Sequence, residues 1–452
     1  MEQFTSIILA AGMGTRMKSQ MPKVLHKVCG KELTSWVIDA SKQAGAHTVV
    51  SVIGHMADKV SEVLGDKCEY AIQSEQKGTG HALMQAKNFI GDGYVVVLTG
   101  DAPLITCDTI KTAVEFHKKE KNSVTVITAI LSDATGYGRI VRNEHGDVLK
   151  IVEQKDATED EKKICEINSG MYVFCGKDLL SALDRLTPNN AQGEYYLTDT
   201  LEILIGDGKK AGAFPVADND EIRGINDRVQ LAEAEKIMQK RIIEKHMRNG
   251  VTFILPETTI VEDNVEIGND TIIYPNVYVK AGTVIGKNCS IGSGTQITAS
   301  KIADGVTIQS SVLLECSVGA GTTVGPFAYL RPNTSVGEKA RIGDFVELKN
   351  SVIGNGTKVS HLTYVGDSDV GERVNFGCGT VTVNYDGKNK FRTKIGNDCF
   401  IGCNTNLIAP VTVEDGGYTA AGSTITDTVP ESTLAIARAR QINKTQWKDK
   451  RK

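Results

Sequence analysis

Little in this 452-residue chain points to nucleic acid, a membrane or an oxidising compartment. Its charges nearly cancel, 51 Lys and Arg against 55 Asp and Glu, for a net of −4 and a pI near 6.1. It therefore lacks the basic surplus that a phosphate backbone selects. No apolar run reaches the ~20 residues that span a bilayer. The opening MEQFTSIILAAG has no basic stretch of the kind that starts a secretory signal. The ten cysteines include no CxxC and no Cys/His group at zinc spacing, the nearest pair being Cys399 and Cys403. They read as reduced thiols at small core positions of a soluble, cytoplasmic protein. The length calls for two or three domains.

What is abundant is a beat of six in the second half. Ile267, Ile273, Val279, Ile285, Ile291 and Ile297 keep it, as do Val318, Val324, Leu330, Val336, Ile342 and Leu348, and then Ile395, Ile401, Leu407 and Val413. Six matches neither a helix nor a half-buried strand; hexapeptide repeats mark a parallel β-helix. Gly follows the apolar residue at 286 and 292, 319 and 325, and 337 and 343, whereas Thr298, Arg331 and Lys349 break the rule. The resulting period of eighteen makes three sides to a coil, and stacks Arg331 on Lys349 at about 4.8 Å between backbones. Two stacked cations repel by about 3 kcal/mol at an effective dielectric near 20. Either they splay into water or they hold an anion, such as a phosphate.

In the first half, short β-rich runs alternate with helical stretches, the pattern of a mostly parallel sheet with ligands at the carboxyl ends of its strands. The first such end is LAAGMGTRM at 9–17, with Gly12 and Gly14 free to approach a phosphate and Arg16 and Lys23 adding charge. A dinucleotide fingerprint would need glycine at 17, where Met17 stands. The second is LTGD at 98–101, whose Asp101 either caps a helix or offers Mg²⁺ one of the few protein oxygens it takes. Then follow GYGRI at 136–140, EQKDA at 153–157, INSG at 167–170 and GIND at 224–227.

The ordered set LAAGMGTRM, Pro22-Lys23, QKGTGHA, LTGD, GYGRI, EQKDA, INSG and GIND resembles the sugar-1-phosphate nucleotidyltransferases. With the hexapeptide half added, nearly the whole chain is similar to the bifunctional N-acetylglucosamine-1-phosphate uridylyltransferase/glucosamine-1-phosphate acetyltransferase family. That resemblance implies an α/β fold: a Rossmann-like nucleotidyltransferase domain over 1–228, a linker helix over 229–250, and a left-handed parallel β-helix over 251–452 that assembles as a homotrimer. It implies that Leu9, Ala10, Ala11, Gly12, Gln73, Gly78 and Thr79 hold the nucleotide, and that Thr99 and Gly100 also bind UDP-N-acetylglucosamine. Arg16 and Lys23 match the catalytic cations on the phosphates, and Asp101 and Asn226 the Mg²⁺ ligands. Gly138, Glu153 and Asn168 match the positions that hold N-acetylglucosamine. The implied reaction is in-line attack of the sugar phosphate on the α-phosphorus of UTP.

The connector VQLAEAEKIMQKRIIEKHMRNG puts Leu231, Ala234, Met238 and Ile242 on one face of a rod about 30 Å long, expected to hold two separate sites apart, with His246 a surface or packing residue rather than a catalytic one. Beyond it, the beat falters between 349 and 395, and NYDGKNKFRTK at 384–394 is a polar insertion of the kind that marks a solenoid's binding face. His361, the one histidine after 246, lies there. The resemblance makes it the base that deprotonates the sugar amine, with Arg331, Lys349, Tyr364 and Asn375 holding glucosamine-1-phosphate. It assigns acetyl-CoA to Cys378, Asn384, Tyr385, Cys403, Ala421 and Arg438. Cys378 stands where the family pattern has Ala, and Cys403 where it has Ser. The basic tail after 437 is expected to be a flexible solvated segment or to help bind CoA phosphates.

Overall fold

The computed structural model describes residues 3–190 and 192–447. Contacts divide the chain into two compact units, Met1–Met238 and Gln239–Lys452.

The first unit is built on a twisted sheet. Its strands are β1 (Phe4–Leu9), β2 (Ala46–Ile53), β3 (Glu69–Ile72), β4 (Tyr94–Thr99), β5 (Val124–Ile130), β6 (Arg139–Arg142), β7 (Val148–Val152), β8 (Glu166–Cys175) and β9 (Ala211–Pro215). They run in the order β9–β5–β8–β4–β1–β2–β3, with the β6–β7 hairpin attached to β8. Strands such as YVVVL are apolar throughout because helices cover both faces of the sheet. Within β4, Val95, Val96, Val97 and Leu98 are all buried, and they divide between two aliphatic clusters. β4 and β2 lie parallel on either side of β1, whereas β8 runs antiparallel between β4 and β5. The register pairs Leu9 with Thr99, so the loops after β1 and β4 open at the same edge. The Gly100 N–H donates to Leu9 O at 2.9 Å. A side chain at 100 would press on Ala10 Cβ and Thr34 Oγ1, each 3.0 Å from where its Cβ would stand.

In the second unit three parallel sheets of 11, 10 and 9 short strands form the sides of a prism. One side stacks Ile273, Ile291, Ile308, Val324, Ile342, Val359, Phe376 and Ile401, each paired to its neighbour a coil away. The inward residues of all three sides merge into one aliphatic column. The corners need their own hydrogen bonds, and buried hydroxyls supply them. Thr271 Oγ1 donates to Gly286 O at 2.8 Å and accepts from Cys289 N at 3.0 Å, and Thr322 does the same with Gly337 O and Ala340 N.

The expected falter between 349 and 395 is no break in the solenoid. Inward residues Leu348, Ile353, Val359, Val365, Val370, Phe376 and Thr382 continue the three sheets. From Leu348 to Ile353 and from Val365 to Val370 a side is five residues long, which shifts the count without shifting the stack. The insertion then leaves the coil after Val383 and closes on itself through a Tyr385–Lys390 bridge and Phe391 N to Asn384 O at 2.9 Å.

The connector is a helix, α1 (Arg228–Arg248), but it is no free rod. Residues to Met238 belong to the first unit and those from Gln239 to the second. Within the second, Ile243 joins the prism core, and Gln239 exchanges hydrogen bonds of 3.1 and 3.0 Å with the backbone of Val261. His246 is buried, and burial, helped by Lys245, lowers its pKa, consistent with packing.

Candidate active sites

In the first unit a cleft of about 430 Å³ opens where β1 and β4 end. Leu9, Ala10, Ala11, Gly12, Lys23, Gln73, Gly78, Thr79, Thr99, Asp101, Glu153 and Asn168 are all among its lining. Gly14, at φ 61°, lets the chain turn against Lys23, whose Cβ lies 2.5 Å from where a Cβ at 14 would stand. Lys23 Nζ is bonded to the Asp101 carboxylate and lies 3.0 Å from Asn226 Oδ1. Asn226 is set by its N–H donating to Gln230 Oε1 at 2.7 Å, and the neighbouring Ile225 by its N–H to Asp101 O at 2.9 Å. Gly138 does not wall the cleft but backs it, since a Cβ there would lie 3.3 Å from Glu153 Oε1 and 3.5 Å from Asn168 Cβ. Burial, then the charges of Asp156 and Asp199, push the Glu153 carboxyl up. Arg16 is exposed on the turn Thr15–Met17 and is not among the residues walling the cleft.

On the prism the expected residues divide between two edges. Arg331 and Lys349 occupy neighbouring coils of one edge, joined by Arg331 N to Leu348 O at 2.9 Å. Neither cation is left to splay: Arg331 Nη1 meets Glu347 Oε1 at 2.8 Å and Lys349 Nζ meets Asp367 Oδ2 at 3.6 Å. The buried Asn384 also donates to Asp367 and lies 3.5 Å from the Tyr364 hydroxyl. Burial works to raise the Asp367 carboxyl, but bonds from Asn350 and Asn384 and the charges of Lys349 and Lys390 outweigh it and hold it low. Lys390, on the insertion, is itself lowered by its contact with Lys349. Gly366 is required here, because any side chain would run into the Tyr364 ring.

The other edge carries His361. Its ring is exposed to solvent, and Nδ1 lies 2.7 Å from Asp344 Oδ1, the residue paired with it one coil earlier. That bond holds the Asp344 carboxyl below its usual range. Cys378, Cys403 and Ala421 continue the same edge through Asn404 N to Cys378 O at 2.8 Å and Gly422 N to Cys403 O at 2.7 Å. The Arg438 side chain lies 3.9 Å from where a Cβ at Gly422 would stand. Asn375 sits half-buried on the side leading to this edge, and Tyr385 is exposed on the insertion.

A nucleotidyl transferase family model matches residues 5–222, and a bacterial transferase hexapeptide model of six repeats matches residues 264–299. The bifunctional protein GlmU of Acetivibrio thermocellus is 55% identical over 449 residues, 99% of this chain and 97% of its own. That of Clostridium novyi is 57% identical over 446 residues, 98% of each chain. The chain belongs to the GlmU family.

As a GlmU-family protein it is a bifunctional transferase that makes UDP-N-acetylglucosamine, one half a nucleotidyltransferase and the other a hexapeptide acetyltransferase. Its parallel sheets and hexapeptide repeats match a left-handed β-helix. The nucleotidyltransferase half points to a divalent metal. The residues fit one: Asp101 and Asn226 turn two hard oxygens toward a single ammonium, the ligand type and number that Mg²⁺ accepts beside phosphate and water. Among the described residues there is no cluster of three or more His, Cys, Asp or Glu suited to a metal, no disulfide, and no helix long and apolar enough to cross a membrane.

Several residues beside the expected ones escaped the sequence pattern. Gln76, Tyr172, Glu194, Tyr196 and Thr198 also wall the cleft, and Asp344, Glu347, Asp367 and Lys390 pair or crowd the prism residues. Asp344 stands one coil before His361, and a count that allowed coils of seventeen would have found it.

Proposed function

We propose that the prism acetylates glucosamine-1-phosphate from acetyl-CoA and that the first unit then moves UMP from UTP onto the product, releasing pyrophosphate. The observation that carries the uridylyl half is the Lys23 ammonium held between Asp101 and Asn226 at the cleft wall. Mg²⁺ bound to those two oxygens would neutralise phosphate charge as it builds at the α-phosphorus. Lys23, freed from them, would reach a phosphate oxygen, while Glu153 and Asn168, in the same lining, would hold the sugar. The incoming sugar phosphate is already an anion, so the unit's work is positioning and charge compensation rather than proton removal. Arg16 would have to swing in from its exposed turn to contribute.

For acetyl transfer, His361 is the base, and Asp344 on Nδ1 keeps Nε2 as the nitrogen facing solvent and substrate. Arg331 and Lys349, with Tyr364 and Asn375, hold the sugar phosphate; Asn384 and Tyr385 border the thioester; and Cys378, Cys403, Ala421 and Arg438 line the course of CoA. Because His361 and the cation pair stand on different edges of one prism, a site that needs both is best completed between prisms. That supports a homotrimer with shared acetyl-transfer sites. Consumption of UTP and acetyl-CoA supports a cytoplasmic setting. Supplying UTP, acetyl-CoA, glucosamine-1-phosphate and Mg²⁺ and following both products tests this reading. His361→Ala is expected to abolish acetyl transfer and leave uridylyl transfer intact; loss of both, or of neither, refutes it.

A further inference from the structure

Gln73 is almost wholly buried in the wall of the nucleotide cleft. Its Nε2 lies 3.1 Å from Gly78 O and 3.1 Å from Nδ1 of His81. A carbonyl oxygen only accepts, so the amide atom facing Gly78 must be nitrogen, and chemistry fixes the orientation of the Gln73 amide. That nitrogen has two hydrogens, one for Gly78 and one for His81. The second bond requires Nδ1 to be the bare, accepting nitrogen of a neutral imidazole.

A rival donor sits on the other side of the ring. Gln85 Nε2 is 3.3 Å from His81 Nε2 and 3.1 Å from His81 O. A neutral imidazole has one accepting nitrogen, so both amides cannot donate to it. Gln85 is half-exposed and keeps its bond to His81 O or turns to water, whereas the buried Gln73 has no such outlet. The tautomer with hydrogen on Nε2 follows. The ring is braced by Tyr195, 6.1 Å away centre to centre, and its segment by Gly80 N to Tyr195 O at 2.8 Å.

With both hydrogens of Gln73 committed, its only spare polar atom is Oε1, and no described residue donates to it. An acceptor held rigidly in this wall reads a base by its ring N–H. Uracil offers N3–H; cytosine offers a lone pair at N3, and two acceptors would face each other. We propose that His81 is a positioning residue that, together with Gly78 O, holds the Gln73 acceptor rigid and so makes this cleft choose uridine over cytidine nucleotides. The proposal rests on the reading that the cleft takes UTP.

Pyrophosphate release from UTP, CTP and dTTP, with N-acetylglucosamine-1-phosphate and Mg²⁺, tests it in the full-length protein. His81→Phe keeps the ring volume but leaves the amide's second hydrogen without its acceptor, so that Gly78 O alone holds the Gln73 amide, and is expected to cut the UTP/CTP ratio of kcat/KM by about tenfold. The UTP/dTTP ratio should not move, because thymine also carries N3–H. His81→Asn puts Oδ1 where Nδ1 stands and should restore the ratio. His81→Ala must show the same fall as His81→Phe, and acetyl transfer in the same preparations reports that each variant is folded. Equal losses with UTP and CTP, or an Asn variant that behaves like Phe, overturn the proposal and leave the uridylyl reading standing. A wild-type protein that releases no pyrophosphate from UTP removes both.

Discussion

Removing the Lys23 ammonium should make the nucleotide-free protein bind Mg²⁺ more tightly while it loses uridylyl transfer. Lys23 and Asp101 are 13% and 19% exposed, and Asn226 Oδ1 completes the contact at 3.0 Å. Opposite unit charges about 4 Å apart attract by about 4 kcal/mol at an effective dielectric near 20. Desolvation takes part of that back, leaving about 2–3 kcal/mol that a metal must overcome to displace the lysine. In Lys23→Ala that competition is gone, so Mg²⁺ affinity without nucleotide should rise about 30- to 150-fold. Uridylyl transfer at saturating Mg²⁺ should nonetheless fall by about a hundredfold or more, for want of the cation on the phosphates. Titration calorimetry of Mg²⁺ into both proteins reads the first effect and pyrophosphate release the second. Equal Mg²⁺ affinity in wild type and Lys23→Ala would show that Asp101 and Asn226 are not the metal's oxygens, and the reasoning would fail.

Other perturbations address each unit separately. Leu348→Ala empties a fully buried position in the prism column and should destabilise the second unit by about 2–5 kcal/mol, seen in denaturation, with uridylyl transfer retained. Asp344→Asn should lower kcat for acetyl transfer with little change in KM for acetyl-CoA; an unchanged kcat would remove Asp344 from the site. Burial, reinforced by Glu202, pushes Asp199 up to about 6. The folded protein therefore holds a proton that the unfolded chain gives up, and stability is lost as pH rises from about 4 to 6. The full linkage is about 3 kcal/mol, cut to about 1–2 by the solvent reaching this half-buried group. Asp199→Asn should accordingly raise the melting temperature at pH 8 and leave it unchanged at pH 4.

The prism was legible because one inward aliphatic residue per side is a requirement that sequence must meet at every coil. Its phase was not, because pairing between coils sets the stack, and a side can drop a residue, as between Leu348 and Ile353, without disturbing the sheet. The same effect hid Asp344 from a search at eighteen. In the first unit the loops at 9–12 and 98–101 could be chosen from strand ends alone, and the sheet places them side by side. The meeting of Lys23 with Asp101 and Asn226, 78 and 203 residues away, is a tertiary fact that no local pattern contains. Arg16 shows the converse: spacing suggested a phosphate ligand, and the turn that carries it leaves it in solvent. The connector looked like a spacer because its helical length makes a rod about 30 Å long, yet Ile243 lies in the column.

That last contact reaches beyond packing. A stack of parallel rungs has no intrinsic length, and its terminal rung offers unpaired N–H and C=O groups on which another such stack could grow. Gln239 bonds to Val261 of the first coil through both atoms of its amide, while Ile243 joins the prism's aliphatic cluster. The segment that links the two catalytic halves thus also fastens the first coil, and loosening it is expected to open that coil to edge pairing with another stack.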